Sequence, residues 1–111
     1  MMNSYVTENF IMIYITVPSI EEAREIANLL TEKKLAGCVS IIPNIVSVYR
    51  FEGKIEEYQE EQLLVKTKSS LFDEVVEEVK KVHTYKLPEI VAVPFTAMSN
   101  DYFIWLNSET K

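Results

Sequence analysis

The only histidine of the chain, His83, stands in Val82-His83-Thr84-Tyr85 at the end of a helical pattern, and the only cysteine, Cys38, opens an apolar run. Imidazole and thiolate are the donors that take copper or zinc, so these two side chains come first in any search for metal chemistry. One histidine is no site by itself. It needs Cys38, a carboxylate or a neighbouring subunit to complete the coordination, and at a helix C-terminus it serves equally well as a cap. Cys38 reads first as a small core residue, because reactivity requires a nearby cation and Lys33 and Lys34 belong to the preceding turn. The run Glu56-Glu57-Tyr58-Gln59-Glu60-Glu61 offers oxygen ligands to a hard cation but lacks the Asp, Asn and Gly spacing of an EF-hand loop, so it reads as a solvated hairpin tip. Glu60 and Glu61 start a strand and face opposite sides, which leaves at most one for a cleft. No nucleophile elbow, phosphate loop or second histidine is present, and a binding protein is expected rather than an enzyme.

The elements that must hold these residues follow from periodicity. Ile11 to Val17 is a continuous β-branched run ended by Pro18, the pattern of a strand buried on both faces. Ser19 and Glu22 form a capping-box signature, and Ile20, Ala23, Ile26, Ala27 and Leu30 recur at helical spacing, predicting a helix over Ile20 to Lys34 ended by Gly37. Cys38 to Phe51 reads as one long strand, broken or bulged at Pro43-Asn44, with a turn at Gly53 and a return strand over Glu61 to Thr67. Leu71, Val75, Val79 and Val82 lie on one face of a second helix, with Glu74, Glu77, Glu78, Lys80 and Lys81 on the others. Glu89 to Phe95 is a fourth strand, and Tyr102, Phe103, Trp105 and Leu106 mark a C-terminal helix. The order is the split βαβ pattern, an α+β fold with a four-stranded antiparallel sheet and both helices on one face. The other face is apolar in its turn, which points to self-association.

With 111 residues and a net charge of −6, the chain is one small acidic domain, too small for a deep private cavity. Any sizeable site is therefore shallow or shared between subunits. The acidic balance argues against nucleic acid as a partner. No apolar run approaches the roughly 20 residues of a membrane helix. Residues 1–10 read as a flexible extension without signal or transit character, followed by one domain over 11–111, and the lone thiol suits a reducing cytoplasm.

The stretch Glu32-Lys-Lys-Leu-Ala-Gly-Cys-Val-Ser-Ile-Ile-Pro-Asn-Ile-Val-Ser-Val-Tyr-Arg-Phe-Glu-Gly-Lys54 resembles the CutA divalent-cation-tolerance proteins. So do Glu60, Lys66-Thr67, His83, Tyr85, Pro88-Glu89-Ile90, Tyr102 and Trp105-Leu106, and the likeness runs from about Ile11 to Ser108. It implies a cytoplasmic or organellar homotrimer of ferredoxin-like subunits, similar to the PII signalling proteins, with a long hairpin pairing across subunits. It also implies a copper or other divalent-cation site in a cleft between subunits. The family's proposed copper ligands are a first-strand cysteine and two adjacent histidines. Here those positions are Ile15 or Thr16 and Val82-His83, so one ligand is retained. Lys86, Phe51 and Met98 replace a usual acidic residue, Trp and Gly.

The cleft implied by the resemblance has His83, Glu60, Lys66 and Tyr85 as polar members, with Phe51 and Trp105 as aromatic walls. His83 and Glu60 are the metal ligands of one reading, in which the trimer binds Cu(II) or another divalent cation weakly and carries no organic cofactor. In the alternative, a PII-like signalling or scaffold trimer holds a small anionic metabolite between Lys66 and Tyr85, or binds a protein partner.

Overall fold

A computed structural model of the chain describes residues 4–6, for their backbone, and residues 9–111. The elements run β1 (Ser4–Val6), β2 (Phe10–Val17), α1 (Ile20–Glu32), β3 (Cys38–Phe51), β4 (Lys54–Lys68), a single 3-10 turn (Ser69–Leu71), α2 (Phe72–Val82), β5 (Ile90–Pro94), β6 (Ala97–Ser99) and α3 (Asn100–Glu109). The main sheet has the order β3-β4-β2-β5, antiparallel throughout. Two βαβ crossovers thus interleave, as the strand and helix order predicts. Ile11, Ile13, Ile15 and Val17 of β2, with Leu63 and Val65 of β4, form one buried cluster with Ala23, Ile26 and Leu30 of α1 and Val75 and Val79 of α2. The alternation along β2 and the helical spacing of the partners are what bring these side chains to one layer.

Within the stretch 1–10 expected to extend from the domain, Ser4–Val6 pairs antiparallel with Ala97–Ser99, and Phe10 opens β2 and is buried. Residues 1–3, 7 and 8 of that stretch lie outside the described residues.

Helix α1 begins as predicted, with the Ser19 hydroxyl accepting the Glu22 N–H at 3.2 Å. It stops at Glu32, short of the expected Lys34, and Gly37 is not what ends it. Lys34 turns left-handed at φ 59°, and the Leu35 N–H bonds back to the Leu30 carbonyl at 2.9 Å, closing the helix by a cap geometry that glycine more often supplies. Gly37 has a different reason to be glycine: a Cβ there would stand 2.5 Å from Leu106 Cδ1, so the small residue is what lets α3 close against the start of β3.

The acidic run Glu56 to Glu61 is not a hairpin tip. It lies inside β4, and the turn is Glu52-Gly53, both at positive φ (51° and 79°), the conformation of tight hairpin turns. Pairing of β4 with β2 stops at Val17 opposite Glu61, whereas β3 and β4 stay paired out to Phe51 opposite Lys54. A two-stranded ribbon therefore projects beyond the sheet. The molecule measures 53 × 25 × 23 Å with a radius of gyration of 15.0 Å, against the roughly 13 Å of an evenly packed domain of this size.

The expected irregularity at Pro43-Asn44 is a bulge between Ile42 and Ile45, with Asn44 at φ 59°. Before it, Ser40 and Ile42 lie opposite Leu64 and Gln62. After it, Ile45, Ser47 and Tyr49 lie opposite Glu60, Tyr58 and Glu56. The extra residue moves Tyr49 and Phe51 onto the face of β4 that carries Glu60. On α2, Glu78 departs from the expected solvated face: it is buried, pairs with Lys33 at the end of α1 and with Lys81 at 2.6 Å, and those hydrogen bonds hold its carboxyl down to about 2.

Candidate functional site

The strand β2 ends at Val17, and the segment after α2 fills the corner between that end and the projecting ribbon. His83 makes the join. Its backbone N–H caps α2 on the Val79 carbonyl at 2.8 Å, and its ring is fully buried. Nε2 lies 2.8 Å from the Thr16 carbonyl, which can only accept, so Nε2 carries the proton. Nδ1 then presents its lone pair to the Tyr85 N–H at 3.1 Å. Glu22 closes the corner from α1, accepting from the Thr84 hydroxyl at 2.9 Å, with a carboxylate oxygen 3.5 Å from Nδ1. The second half of the capping box is thus diverted from its own helix to a residue 62 positions away.

These bonds aim Tyr85. Its hydroxyl donates to Glu60 Oε2 at 2.7 Å, and its ring centroid lies 5.0 Å from that of His83. Burial, then the hydrogen bond to Glu60 and the charge of that carboxylate, hold the Tyr85 phenol well above the ordinary range, so it remains a donor. Glu60 is 4% exposed, and among the described residues no Lys, Arg or His lies within 4.0 Å of its carboxylate. Around it opens a cleft of about 710 Å³ lined by Thr16, Tyr49, Phe51, Glu60, Tyr85 and Lys86, among others.

The structure therefore brings together His83, Tyr85, Glu60 and Phe51, with His83 behind the cleft rather than in it. Lys66 and Trp105 lie elsewhere in the same chain. Lys66 Nζ reaches the Ser40 hydroxyl at 2.5 Å and Cys38 Sγ at 3.6 Å, and Trp105 packs by Gly37 with its ring 5.3 Å from that of Tyr102. Cys38, expected in the core, is half-buried beside this lysine, its cross-strand neighbour. Glu22 and Tyr49 are the residues that sequence reasoning did not assign to the site, since their contacts depend on crossovers and on the bulge, and Thr16, one of the two positions matched to the first-strand ligand, enters through its backbone carbonyl.

A divalent cation is the group the resemblance implies, and the donor set tests it. Both nitrogens of His83 are engaged, one Glu60 oxygen is engaged, and among the described residues no three His, Cys, Asp or Glu side chains converge. The described residues of one chain therefore do not by themselves supply a full coordination sphere.

The fold and this corner define a class: ferredoxin-like α+β domains with an overlong hairpin and an acidic cleft where the central strand ends. Residues 11–109 match the family described as CutA1 divalent ion tolerance protein. The divalent-cation tolerance protein CutA of Archaeoglobus fulgidus is 48% identical over 95 residues, 86% of this chain and 92% of that protein. The chloroplastic CutA of Arabidopsis thaliana is 43% identical over 101 residues, 91% of this chain, and the chain spans 56% of that relative's length. The solved divalent cation tolerance protein (Cut A1) of Thermus thermophilus shares 45% identity at a TM-score of 0.90, over 92% of this chain and 99% of that one. The chain belongs to the CutA family.

Proposed function

We propose that this chain works as a homotrimeric divalent-cation-tolerance protein, a binding protein rather than a catalyst, that holds Cu(II) or another divalent cation weakly at the Glu60 cleft. The observation that carries the reading is Glu60 itself, a carboxylate withdrawn from water without a cationic partner among the described residues. Glu60 is the ligand the folded chain holds ready, and His83 joins it only by giving up its bond to Thr16 or to Tyr85. The remaining donors come from a neighbouring copy in this reading. Support for such a neighbour is the ribbon: Val46, Val48 and Ile55 are more than 60% exposed, and a lone two-stranded hairpin is marginal in water. No helix among the described residues is long and apolar enough to cross a membrane. A cytoplasmic setting is the one we propose, and it suits the free thiol of Cys38. The anionic-metabolite alternative needs Lys66 beside Tyr85, and a single chain holds them in separate clusters.

Titration of Cu(II) into wild type, Glu60→Gln and His83→Asn tests the site. Loss of about tenfold or more in affinity on Glu60→Gln is expected, and an unchanged affinity would overturn the assignment. Light scattering of wild type and Val48→Glu tests the assembly: three copies in the first and fewer in the second are expected, and a monomeric wild type refutes it.

A further inference from the structure

The metal reading leaves the walls of the cleft unused. Tyr49, Phe51 and Tyr85 line the space in which Glu60 sits, and Tyr58 stacks on Tyr49 with ring centroids 6.0 Å apart. A bare divalent cation gains little from such walls, since it seeks several oxygen, nitrogen or sulfur donors at 2–2.6 Å. An organic ammonium ion gains a great deal. Its charge is spread over a bulky apolar shell, it needs no inner coordination sphere, and aromatic rings attract it through their quadrupoles while one carboxylate balances its charge. We propose that the Glu60 cleft binds small organic ammonium cations, with Glu60 as the counter-charge and Tyr49, Phe51 and Tyr85 as the aromatic enclosure.

Two features of the site support a cation over a neutral or anionic occupant, and a third supports an organic one over a bare ion. Glu60 Oε2 is fixed by the Tyr85 hydroxyl, while Oε1 takes no hydrogen bond from the described residues and is left for a ligand. Lys86, also at the cleft, is exposed and makes no ion pair with Glu60, so the carboxylate has no counter-charge among the described residues of its own chain. The volume of about 710 Å³ lies in the range of small-molecule sites and far exceeds the needs of a single ion. The bulge at Pro43-Asn44 acquires a purpose here. Without the extra residue, Val46 and Val48 would stand opposite Tyr58 and Glu56, and the aromatic residues would face away from the carboxylate.

The inference rests on Glu60 being the cation-binding group of the cleft, and the experiment separates the two claims. Tetramethylammonium and its uncharged near-isostere tert-butanol are titrated calorimetrically into wild type, Glu60→Gln and Phe51→Leu, with Cu(II) run in parallel on each protein. Tetramethylammonium is expected to bind about tenfold or more tightly than tert-butanol in wild type, and each substitution is expected to erase most of that preference. Equal binding of the two probes, or a preference that survives both substitutions, overturns the proposal. If Cu(II) affinity falls on Glu60→Gln while tetramethylammonium shows no preference, the ammonium site is refuted and the metal reading stands. If the ammonium preference depends on Glu60 and Cu(II) affinity does not, the metal reading fails and the ammonium site stands. Should Glu60→Gln not fold, as judged by circular dichroism, Phe51→Leu decides the ammonium arm by the same criterion.

Discussion

Replacing Tyr85 by Phe removes one oxygen and leaves the ring in place, so it isolates the bond that orients the cleft. The hydroxyl donates to Glu60 at 2.7 Å, and the acceptor is a carboxylate only 4% exposed. A hydrogen bond to a charged group contributes about 1.5–3 kcal/mol, and the loss includes the penalty of leaving that carboxylate without its donor. For a domain of this size, 2 kcal/mol corresponds to about 8–10 °C in melting temperature. Against a Glu60→Gln background the bond becomes neutral and its deletion costs about 1 kcal/mol, so the cycle of four proteins should show a coupling of about 1 kcal/mol. The proteins are compared at one concentration, because association would raise every melting temperature. The phenol is raised above its ordinary 10.0 in the folded state, so the advantage of wild type over Tyr85→Phe is full below that pH and shrinks as the pH climbs beyond it. Equal costs in the two backgrounds, or an advantage that does not fade in alkali, would refute the assignment of Tyr85 as the donor that holds Glu60.

Gly37→Ala forces a methyl to within 2.5 Å of the buried Leu106 Cδ1 and should destabilise by about 1–3 kcal/mol in urea denaturation, with most of the cost relieved in a Leu106→Ala background. Lys34→Gly relieves a left-handed lysine at φ 59° and should raise the unfolding free energy measured in urea by about 0.5–1 kcal/mol after the entropy of the unfolded glycine is counted. Glu78 is held at about 2 against an ordinary 4.5 by its bonds to Lys33 and Lys81, so its contribution is present above pH 4.5 and is lost as the pH falls towards 2. Urea midpoints of wild type and Glu78→Gln should therefore converge across that acid window and differ above it.

Patterns of short range were legible in the residues. The β-branched, apolar run Ile11 to Val17, the capped helix at Ser19 and the apolar stripe Leu71-Val75-Val79 each follow from local period and turn chemistry, and together they force the split βαβ order. Ser19 predicted a cap and supplies one; Glu22 predicted the reciprocal half and instead holds Thr84, accepting both its hydroxyl and its backbone N–H across the domain. Lys34 shows the same limit at the other end of that helix. Backbone bonding to Leu30 stopped the chain before the glycine that marks a stop by composition, and Gly37 answers to Leu106 across the domain.

For the site, sequence by itself determined the participants of one corner: a lone histidine at a helix end, a tyrosine two residues on, and a glutamate at the start of the sheet-bound part of a long strand. Its length also set the expectation of a shallow or shared site. Tertiary structure decided their roles. Which face of the ribbon Tyr49 and Phe51 occupy depends on one extra residue at Pro43-Asn44, because strand faces alternate with a period of two and a single insertion inverts everything beyond it. Whether His83 is a ligand or a brace depends on the carbonyl of Thr16, 67 positions away, reached only after two crossovers have folded. Periodicity reports what neighbours along the chain will do; partners across the sheet exist only once the chain has closed.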